Sequence, residues 1–247
     1  VTVAVTAPEE SRIQRLMARD GISEEYARSR IAAQHSNGWF AEKCGYALEN
    51  NGQLDAFATK CIAFLRRFTD CPLVLFPGNI DQFTPQADAL LFLSLLNART
   101  PEVLIDPHIQ VAKQVIESGI ESIPMGYILI DGERKSSVEI VSNCTPLPQD
   151  HIDQVVATAV AGQLLGKKLI YLEAGSGAKT PVSIDIIRAV SKALGIPLIV
   201  GGGICTPNAM LQAFDAGADI VVIGNHFERH PDEIRDFVRI KREKYGE

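Results

Sequence analysis

The sequence has few of the features from which metal fingers, disulfide scaffolds and membrane spans are built. Its five cysteines are scattered and no two form a CxxC pair, which excludes a zinc finger and indicates reduced thiols. No apolar run approaches the roughly 20 residues that a membrane helix needs, and no signal peptide is recognisable. We therefore expect a cytoplasmic protein.

Positive charge is also scarce in this chain. It has 24 Lys and Arg against 30 Asp and Glu, which gives a formal net charge of −6 and a pI near 5.5. Such a chain has no overall attraction to nucleic acid, so we expect no nucleic-acid partner and expect any phosphate ligand to be held by a local site. The length of 247 residues suits one barrel-sized domain or two smaller ones.

Three apolar segments each end in a glycine turn. They are residues 168–173 before 174–177, residues 198–200 before 201–203, and residues 220–223 before 224–225. The carboxyl ends of parallel strands meet at one edge of a sheet, and backbone amides at glycine can approach an anion closely. Helices that follow such turns add the positive ends of their dipoles. The three turns therefore predict a phosphate-binding site.

Strand and helix signals alternate along the whole chain. Eight strands are expected, near Val1, Tyr46, Leu73, Ala89, Ile123, Leu169, Leu198 and Ile220. Eight consecutive strand-helix units predict a TIM-like (β/α)8 barrel of the α/β class. The polar segment at residues 131–148 is long for a connection in a compact domain, which is typical of a lid.

The opening of the chain has motifs of its own, RLMARDGIS and YALENNGQLDAFATKCIAFL. On these motifs residues 1–68 resemble the carboxyl-terminal half of bacterial dephospho-coenzyme A kinases. The phosphate loop of that family, GxxxxGK[ST], does not occur in the sequence, so we expect no kinase activity. We interpret residues 1–69 as a grafted P-loop-kinase-like segment that supplies the first two βα units, and residues 70–247 as the remaining barrel units with the phosphate site.

The later part of the chain contains LFPGNIDQF, SNCTPLP, YLEAGSGA, VGGGI and AGADIVVIGN in that order. On these motifs residues 70–247 resemble the geranylgeranylglyceryl phosphate synthase family, which includes the heptaprenylglyceryl phosphate synthases. The resemblance implies a modified TIM barrel and a prenyltransferase of ether phospholipid biosynthesis. Its members join the 3-hydroxyl of sn-glycerol 1-phosphate to a polyprenyl diphosphate, with Mg²⁺ as the cofactor.

The resemblance also implies the residues of the site. Tyr171 and Glu173 would be catalytic, with Glu173 binding the glycerol hydroxyls and acting as the base. The residues that would bind the glycerol phosphate are Tyr171, Leu172, Glu173, Ala174, Gly175, Ser176, Gly177, Gly202, Gly203, Gly224 and Asn225. A carboxylate at a strand end can accept the proton of the attacking hydroxyl, and its charge favours a cation-like allylic carbon.

An isoprenoid chain needs an apolar groove. Phe76, Ile80, Phe92 and Tyr127 are candidate walls for it, with ordinary core packing as the alternative for each.

The family's magnesium and diphosphate motifs are an aspartate turn and a Gly-Gly-Ser/Thr turn on its first two strands, and neither precedes Cys71. We therefore assign no metal ligand from the sequence. Glu9, Glu10 and Glu49 are the carboxylates to consider, with solvated surface groups as the alternative.

Two hypotheses follow, an active prenyltransferase and a non-catalytic chimeric barrel that keeps only the glycerol-phosphate site. A homo-oligomer is open under both hypotheses. The motif at residues 171–177 disfavours a third hypothesis, a generic barrel isomerase of phosphorylated sugars.

Overall fold

The computed structural model describes residues 3–52, 54–78 and 80–246, which divide into two compact units. The first unit comprises residues 1–73 and 81–88, and the second comprises residues 74–80 and 89–247. Among the described residues, the strands of the first unit form a parallel sheet of two and those of the second unit form a parallel sheet of six.

In the first unit, β1 (Val3–Thr6) pairs with β2 (Tyr46–Glu49). The strand expected near Val1 thus begins at Val3, and Val1 itself lies outside the described residues. The helices of this unit are α1 (Glu9–Asp20), α2 (Glu24–Ala32), α3 (Asn37–Lys43) and α4 (Leu54–Leu65).

Local signals in the sequence account for the turn between α1 and α2. Gly21 adopts a left-handed φ of 63° and donates its amide to the carbonyl of Met17, which ends α1. The Ser23 side chain then accepts a hydrogen bond from the Tyr26 amide and starts α2. The two helices bury a small apolar core made by Ile13, Ala27 and Ile31.

The second unit repeats strand and helix. Its strands are β3 (Val74–Leu75), β4 (Ala89–Leu95), β5 (Glu121–Leu129), β6 (Leu169–Glu173), β7 (Leu198–Gly201) and β8 (Ile220–Val222). They pair in chain order, each parallel to the next. The helices are α5 (Pro101–Leu104), α6 (Asp106–Ser118), α7 (Ser137–Ser142), α8 (Ile152–Leu164), α9 (Ile184–Ala193), α10 (Pro207–Asp215), α11 (Asn225–Arg229) and α12 (Ile234–Tyr245). This order agrees with the predicted TIM-like class.

The core of the second unit lies between the middle strands and the helices that follow them. Ile128, Ile170 and Leu172 on the strands are fully buried, as are Ile186 and Val190 on α9. Burying one such side chain stabilises a fold by about 1.5–3 kcal/mol. The core therefore fixes the positions of the carboxyl ends of β6, β7 and β8.

The segment at residues 131–148 contains the short helix α7 and is anchored at both ends. The Asp131 amide donates to the carbonyl of Leu147 (2.9 Å), and the Leu147 amide donates to the carbonyl of Leu129 (2.9 Å). The buried Ser136 accepts a hydrogen bond from the Glu139 amide and begins α7. We call residues 131–148 the lid segment.

In the part of the chain that the structure describes, every helix is too short or too polar to cross a membrane.

Candidate active site

A cleft of about 370 Å³ lies in the second unit, at the carboxyl ends of β6, β7 and β8. All three predicted glycine turns contribute to it. Its lining from these strand ends and turns consists of Glu173, Ser176, Gly177, Gly202, Gly203, Gly224 and Asn225. The turns that the sequence placed at one sheet edge are therefore brought together around a single space.

Glu173 is the last residue of β6 and is only 8% exposed. Its Oε1 accepts the Gly175 amide at 2.8 Å, and its carboxylate is also hydrogen-bonded to the Tyr171 side chain. Burial raises the pKa of Glu173 because the charged form loses water, while the two hydrogen bonds act in the opposite direction. The net result is a carboxyl group whose pKa lies above its ordinary value.

Two glycines of the second turn are required by the close approach of Glu173 and Tyr171. A Cβ at Gly201 would overlap the Tyr171 hydroxyl and lie 2.8 Å from Glu173 Oε2. Gly202 has a left-handed φ of 84°, and a Cβ there would lie 2.6 Å from Glu173 Oε1. The bare backbone at the end of β7 thus makes room for the carboxylate.

Several backbone amides around the cleft have no partner within the described ranges. Among the described residues, the amides of Ser176, Gly177, Gly202 and Gly203 donate to no carbonyl or side chain. The amide of Ala174, by contrast, donates to the carbonyl of Gly201 at 3.0 Å. The Ser176 hydroxyl donates to Asn225 Oδ1 at 2.7 Å and so links the first turn to the third. Unpartnered amides at glycine turns can hold an anion.

Four residues of the predicted set lie elsewhere. The side chains of Leu172 and Ala174 are buried in the hydrophobic core, at 0% and 1% exposure. Tyr171 is 3% exposed and reaches the site through its hydroxyl contact with Glu173. The amide of Gly175 is used by Glu173. The substrate contacts predicted for these four residues stay predictions.

Aromatic side chains form one wall of the cleft. Phe76 and Tyr127 both line it, with ring centroids 6.3 Å apart, and the Tyr171 ring lies 5.1 Å from Tyr127. Burial raises the pKa of the Tyr127 phenol. Phe92 instead packs against the ring of His108 at 4.6 Å.

Phe92 and Ile80 are absent from the lining of this cleft among the described residues. Of the four expected apolar walls, Phe76 and Tyr127 are therefore the two that face the cleft.

The structure adds cleft residues that sequence reasoning did not identify. Arg134, Ser137 and Val138 come from the lid segment, and Arg229 and His230 come from α11 and its end. The length and polarity of the lid segment were the available signal for the first three. His226 also lines the cleft and has Nε2 2.8 Å from Glu233 Oε2.

The carboxylates of the first unit that were considered as metal ligands are either paired with an arginine or exposed to solvent. Glu9 and Glu10 form ion pairs with Arg28, at 3.6 and 3.0 Å, and Glu49 is exposed at the end of β2. Within the described ranges no group of three or more His, Cys, Asp or Glu residues is arranged to hold a metal ion.

Two family models match this chain, one at each end. The family model described as the PcrB family matches residues 51–241, and the model described as dephospho-CoA kinase matches residues 1–56. A geranylgeranylglyceryl phosphate synthase from Zunongwangia profunda is 49% identical over 168 residues, 68% of this chain and 72% of that protein. One from Thermococcus kodakarensis is 36% identical over 214 residues, 87% of this chain and 83% of that protein.

Solved structures give the same result. The (S)-3-O-geranylgeranylglyceryl phosphate synthase from Thermoplasma acidophilum, in complex with substrate sn-glycerol-1-phosphate, matches with a TM-score of 0.66 and 29% identity. The match covers 93% of this chain and 86% of that one. Wild-type GGGPS from Thermoplasma volcanium matches with a TM-score of 0.68 and 27% identity, over 96% of this chain and 89% of that one.

These relatives confirm the predicted TIM-like fold class and the predicted prenyltransferase class. With the family model matched across residues 51–241, the chain belongs to the PcrB family.

Proposed function

We propose that this protein transfers a polyprenyl group, such as geranylgeranyl, from its diphosphate to the 3-hydroxyl of sn-glycerol 1-phosphate. The observation that supports this best is the buried Glu173, hydrogen-bonded to Tyr171 and facing a cleft rimmed by unpartnered glycine-turn amides. The relatives named geranylgeranylglyceryl phosphate synthase, one of them in complex with sn-glycerol-1-phosphate, support the same reaction.

The glycine turns would bind the phosphate group of the acceptor. The amides of Ser176, Gly177, Gly202 and Gly203 supply donors at the strand ends, and the Ser176–Asn225 hydrogen bond holds the first and third turns together. With the phosphate fixed there, the other end of the glycerol extends toward Glu173. The reacting hydroxyl then lies beside the carboxylate.

Glu173 would act as the general base. It accepts the proton of the 3-hydroxyl while the oxygen forms a bond to the first carbon of the prenyl group, and the bond from that carbon to the diphosphate breaks. Burial raises the pKa of Glu173 toward the working range, which makes it a stronger base than an exposed glutamate. The Tyr171 hydroxyl orients the carboxylate, and the negative charge favours the developing allylic cation.

The prenyl chain would lie along the aromatic wall. Phe76 is 49% exposed and Tyr127 lines the cleft beside it, so an apolar chain that covers them removes their surface from water. Burial of that surface would contribute affinity for the donor and exclude water from the reacting carbon.

The family resemblance implies Mg²⁺ as a cofactor of the proposed reaction. Mg²⁺ is usually held by one or two carboxylates together with substrate phosphates. Among the described cleft residues the available carboxylate is Glu173, which already accepts hydrogen bonds from Gly175 and Tyr171. The described residues therefore do not fit a metal site at this cleft, and none of the steps above uses one.

A second candidate is a chimeric barrel that binds glycerol phosphate without turnover. It is favoured by the match of residues 1–56 to dephospho-CoA kinase, because the PcrB match begins only at residue 51. We propose residues 1–69 as the kinase-like segment and residues 70–247 as the synthase-like barrel units. A cytoplasmic location remains part of the proposal.

Product formation tests the proposal. The purified chain is incubated with sn-glycerol 1-phosphate, geranylgeranyl diphosphate and MgCl₂, and the ether product is measured by mass spectrometry. We expect product from the wild type and at most a trace from Glu173→Gln. Saturable binding of sn-glycerol 1-phosphate without product would support the non-catalytic barrel. Absence of both binding and product would overturn the assignment.

A further inference from the structure

The charges around the cleft raise a problem for a phosphate ligand. A phosphate that carries about two negative charges at neutral pH must enter a cleft that already holds the buried carboxyl of Glu173. Backbone amides contribute only partial charges, and like charges in a poorly hydrated space repel strongly. A full positive charge near the glycine turns would offset this repulsion.

Two guanidinium groups line the cleft, those of Arg134 and Arg229. Arg134 is the better positioned of the two, because its Nη1 donates to the carbonyl of Gly177 at 3.3 Å. A Cβ built on Gly177 would lie 3.0 Å from the same Nη1, so the guanidinium rests directly on this turn. In the described part of the chain no such contact fixes Arg229.

The backbone on both sides of Arg134 is fixed to the loop that follows β6. The carbonyl of Gly132 accepts hydrogen bonds from the amides of Lys179 (2.9 Å) and Thr180 (3.3 Å). The Thr180 hydroxyl donates to Glu133 Oε2 at 2.8 Å, and on the other side Ser136 is 3% exposed. The segment that carries Arg134 is therefore fixed by hydrogen bonds. This reduces the conformational entropy lost when Arg134 binds a ligand.

The positive charge of Arg134 has no carboxylate partner in the part of the chain that the structure describes. Among the described residues no carboxylate forms an ion pair with it, and the adjacent Glu133 is engaged by Thr180. Four of the five N–H donors of a guanidinium remain available when one is given to a carbonyl. Guanidinium groups bind phosphate through two parallel hydrogen bonds, which an ammonium group cannot form in the same fixed geometry.

We infer that Arg134, from the lid segment, is a binding residue for the phosphate of sn-glycerol 1-phosphate and sets the preference for a phosphorylated acceptor. This role rests on the proposed function, since that acceptor is the proposed substrate. The phosphate is bound at the far end of the glycerol from the reacting 3-hydroxyl. Arg134 therefore acts on substrate affinity, and Glu173 acts on the chemical step.

The test compares Arg134→Gln with Lys135→Gln. Lys135 is the next residue, is also exposed, carries the same charge and does not line the cleft. Calorimetry with sn-glycerol 1-phosphate and, separately, with inorganic phosphate is run at fixed salt on both variants and the wild type. We expect Arg134→Gln to weaken both affinities by about 10- to 100-fold, or about 1.4–2.7 kcal/mol, and Lys135→Gln to change them by less than about twofold.

Steady-state kinetics separate phosphate binding from a purely structural role of Arg134. We expect Arg134→Gln to raise the KM for sn-glycerol 1-phosphate while kcat and the KM for geranylgeranyl diphosphate stay within about threefold, and Arg134→Lys to recover part of the loss. Equal effects of Arg134→Gln and Lys135→Gln would overturn the inference, as would a fall in kcat alone.

The outcomes also distinguish this inference from the proposed function. If the wild type binds sn-glycerol 1-phosphate and Arg134→Gln binds it equally well, the inference fails and the function stands. If the wild type binds inorganic phosphate through Arg134 but neither binds sn-glycerol 1-phosphate nor forms the ether, both the function and the inference fail, and Arg134 contacts the phosphate of some other ligand.

Discussion

Glu173 is buried and is also the proposed general base. A carboxyl group at 8% exposure is unfavourable for a folded protein unless its oxygens are hydrogen-bonded, and here the Gly175 amide and the Tyr171 hydroxyl supply those bonds. They do not cancel the loss of water, so its pKa remains raised. A buried carboxyl with a raised pKa beside a cleft is a common property of a general base.

Glu173→Gln is expected to lower kcat by about 10²–10⁴-fold, because the amide cannot accept the proton of the hydroxyl. Glu121→Gln, at the opposite end of a strand in the same sheet and exposed, is the matched control and is expected to leave kcat unchanged. In the wild type we expect kcat to fall as the pH drops through the raised pKa of Glu173. A flat pH profile with retained activity in Glu173→Gln would contradict its role as the base.

Glu173→Gln is also expected to change stability with pH. Because the pKa of Glu173 is raised in the fold, the penalty for its ionised form is absent below the unfolded-state pKa and complete above the folded-state pKa. The variant should therefore melt at a higher temperature than the wild type at pH 8, by about 2–4 °C for each kcal/mol removed. This advantage should disappear near pH 4. A difference that does not vary with pH would contradict the prediction.

At the scale of elements, the three glycine turns depend on close backbone approach. Strand ends could be predicted from sequence because an apolar run followed by glycine is a local pattern. β6 ends where that pattern placed it, and β7 and β8 end within one residue of the predicted position. Ser23 and Gly21, the cap of α2 and the stop of α1, are local signals of the same kind.

The position of Arg134 could not be predicted in this way. Its contact with Gly177 depends on the Gly132 carbonyl meeting the amides of Lys179 and Thr180, which is a tertiary contact without a local sequence signal. Phe92 shows the opposite error, because its apolar character suited the cleft but its ring packs on His108. Side-chain direction therefore limited the prediction of the site more than element type did.

Gly202→Ala tests the second turn. The new Cβ would lie 2.6 Å from Glu173 Oε1 and 2.8 Å from the Ala174 amide, at a φ of 84° that alanine rarely adopts. We expect a lower melting temperature and at least about a tenfold weaker affinity for sn-glycerol 1-phosphate.

Gly166→Ala is the control for backbone strain. Gly166 has a φ of 88°, a Cβ added there would have no other atom within 4 Å, and the residue lies outside the cleft lining. The variant should lose stability by about 1 kcal/mol through strain while keeping wild-type affinity. Equal affinities for Gly202→Ala and Gly166→Ala would show that the second turn does not contact the ligand.

The whole chain joins two sequence families. Residues 1–56 match dephospho-CoA kinase and residues 51–241 match the PcrB family, so the two matches meet within residues 51–56. The described residues form two compact units, each with its own parallel sheet. The reaction involves two phosphate-containing groups, the diphosphate of the prenyl substrate and the phosphate of the glycerol substrate. In the described cleft we identify hydrogen-bond donors only for the phosphate of the glycerol substrate.

Chelation of Mg²⁺ tests the diphosphate and the glycerol phosphate separately. Ether formation measured with and without EDTA tests the Mg²⁺ requirement that the family resemblance implies, since the described cleft residues form no site for the ion. Calorimetric affinity for sn-glycerol 1-phosphate should not change in EDTA, because amides and Arg134 form that site without a metal. A loss of glycerol-phosphate affinity on chelation would show that a metal takes part in this half of the site.

Titration calorimetry with sn-glycerol 1-phosphate tests most directly whether the cleft after β6, β7 and β8 is a glycerol-phosphate site. The titrations are run on the wild type, Gly202→Ala and Gly166→Ala at the same salt concentration and pH. We predict saturable one-to-one binding to the wild type and Gly166→Ala, and markedly weaker binding to Gly202→Ala. Absence of binding to a folded wild-type protein would contradict the assignment of the three glycine turns and the function built on them.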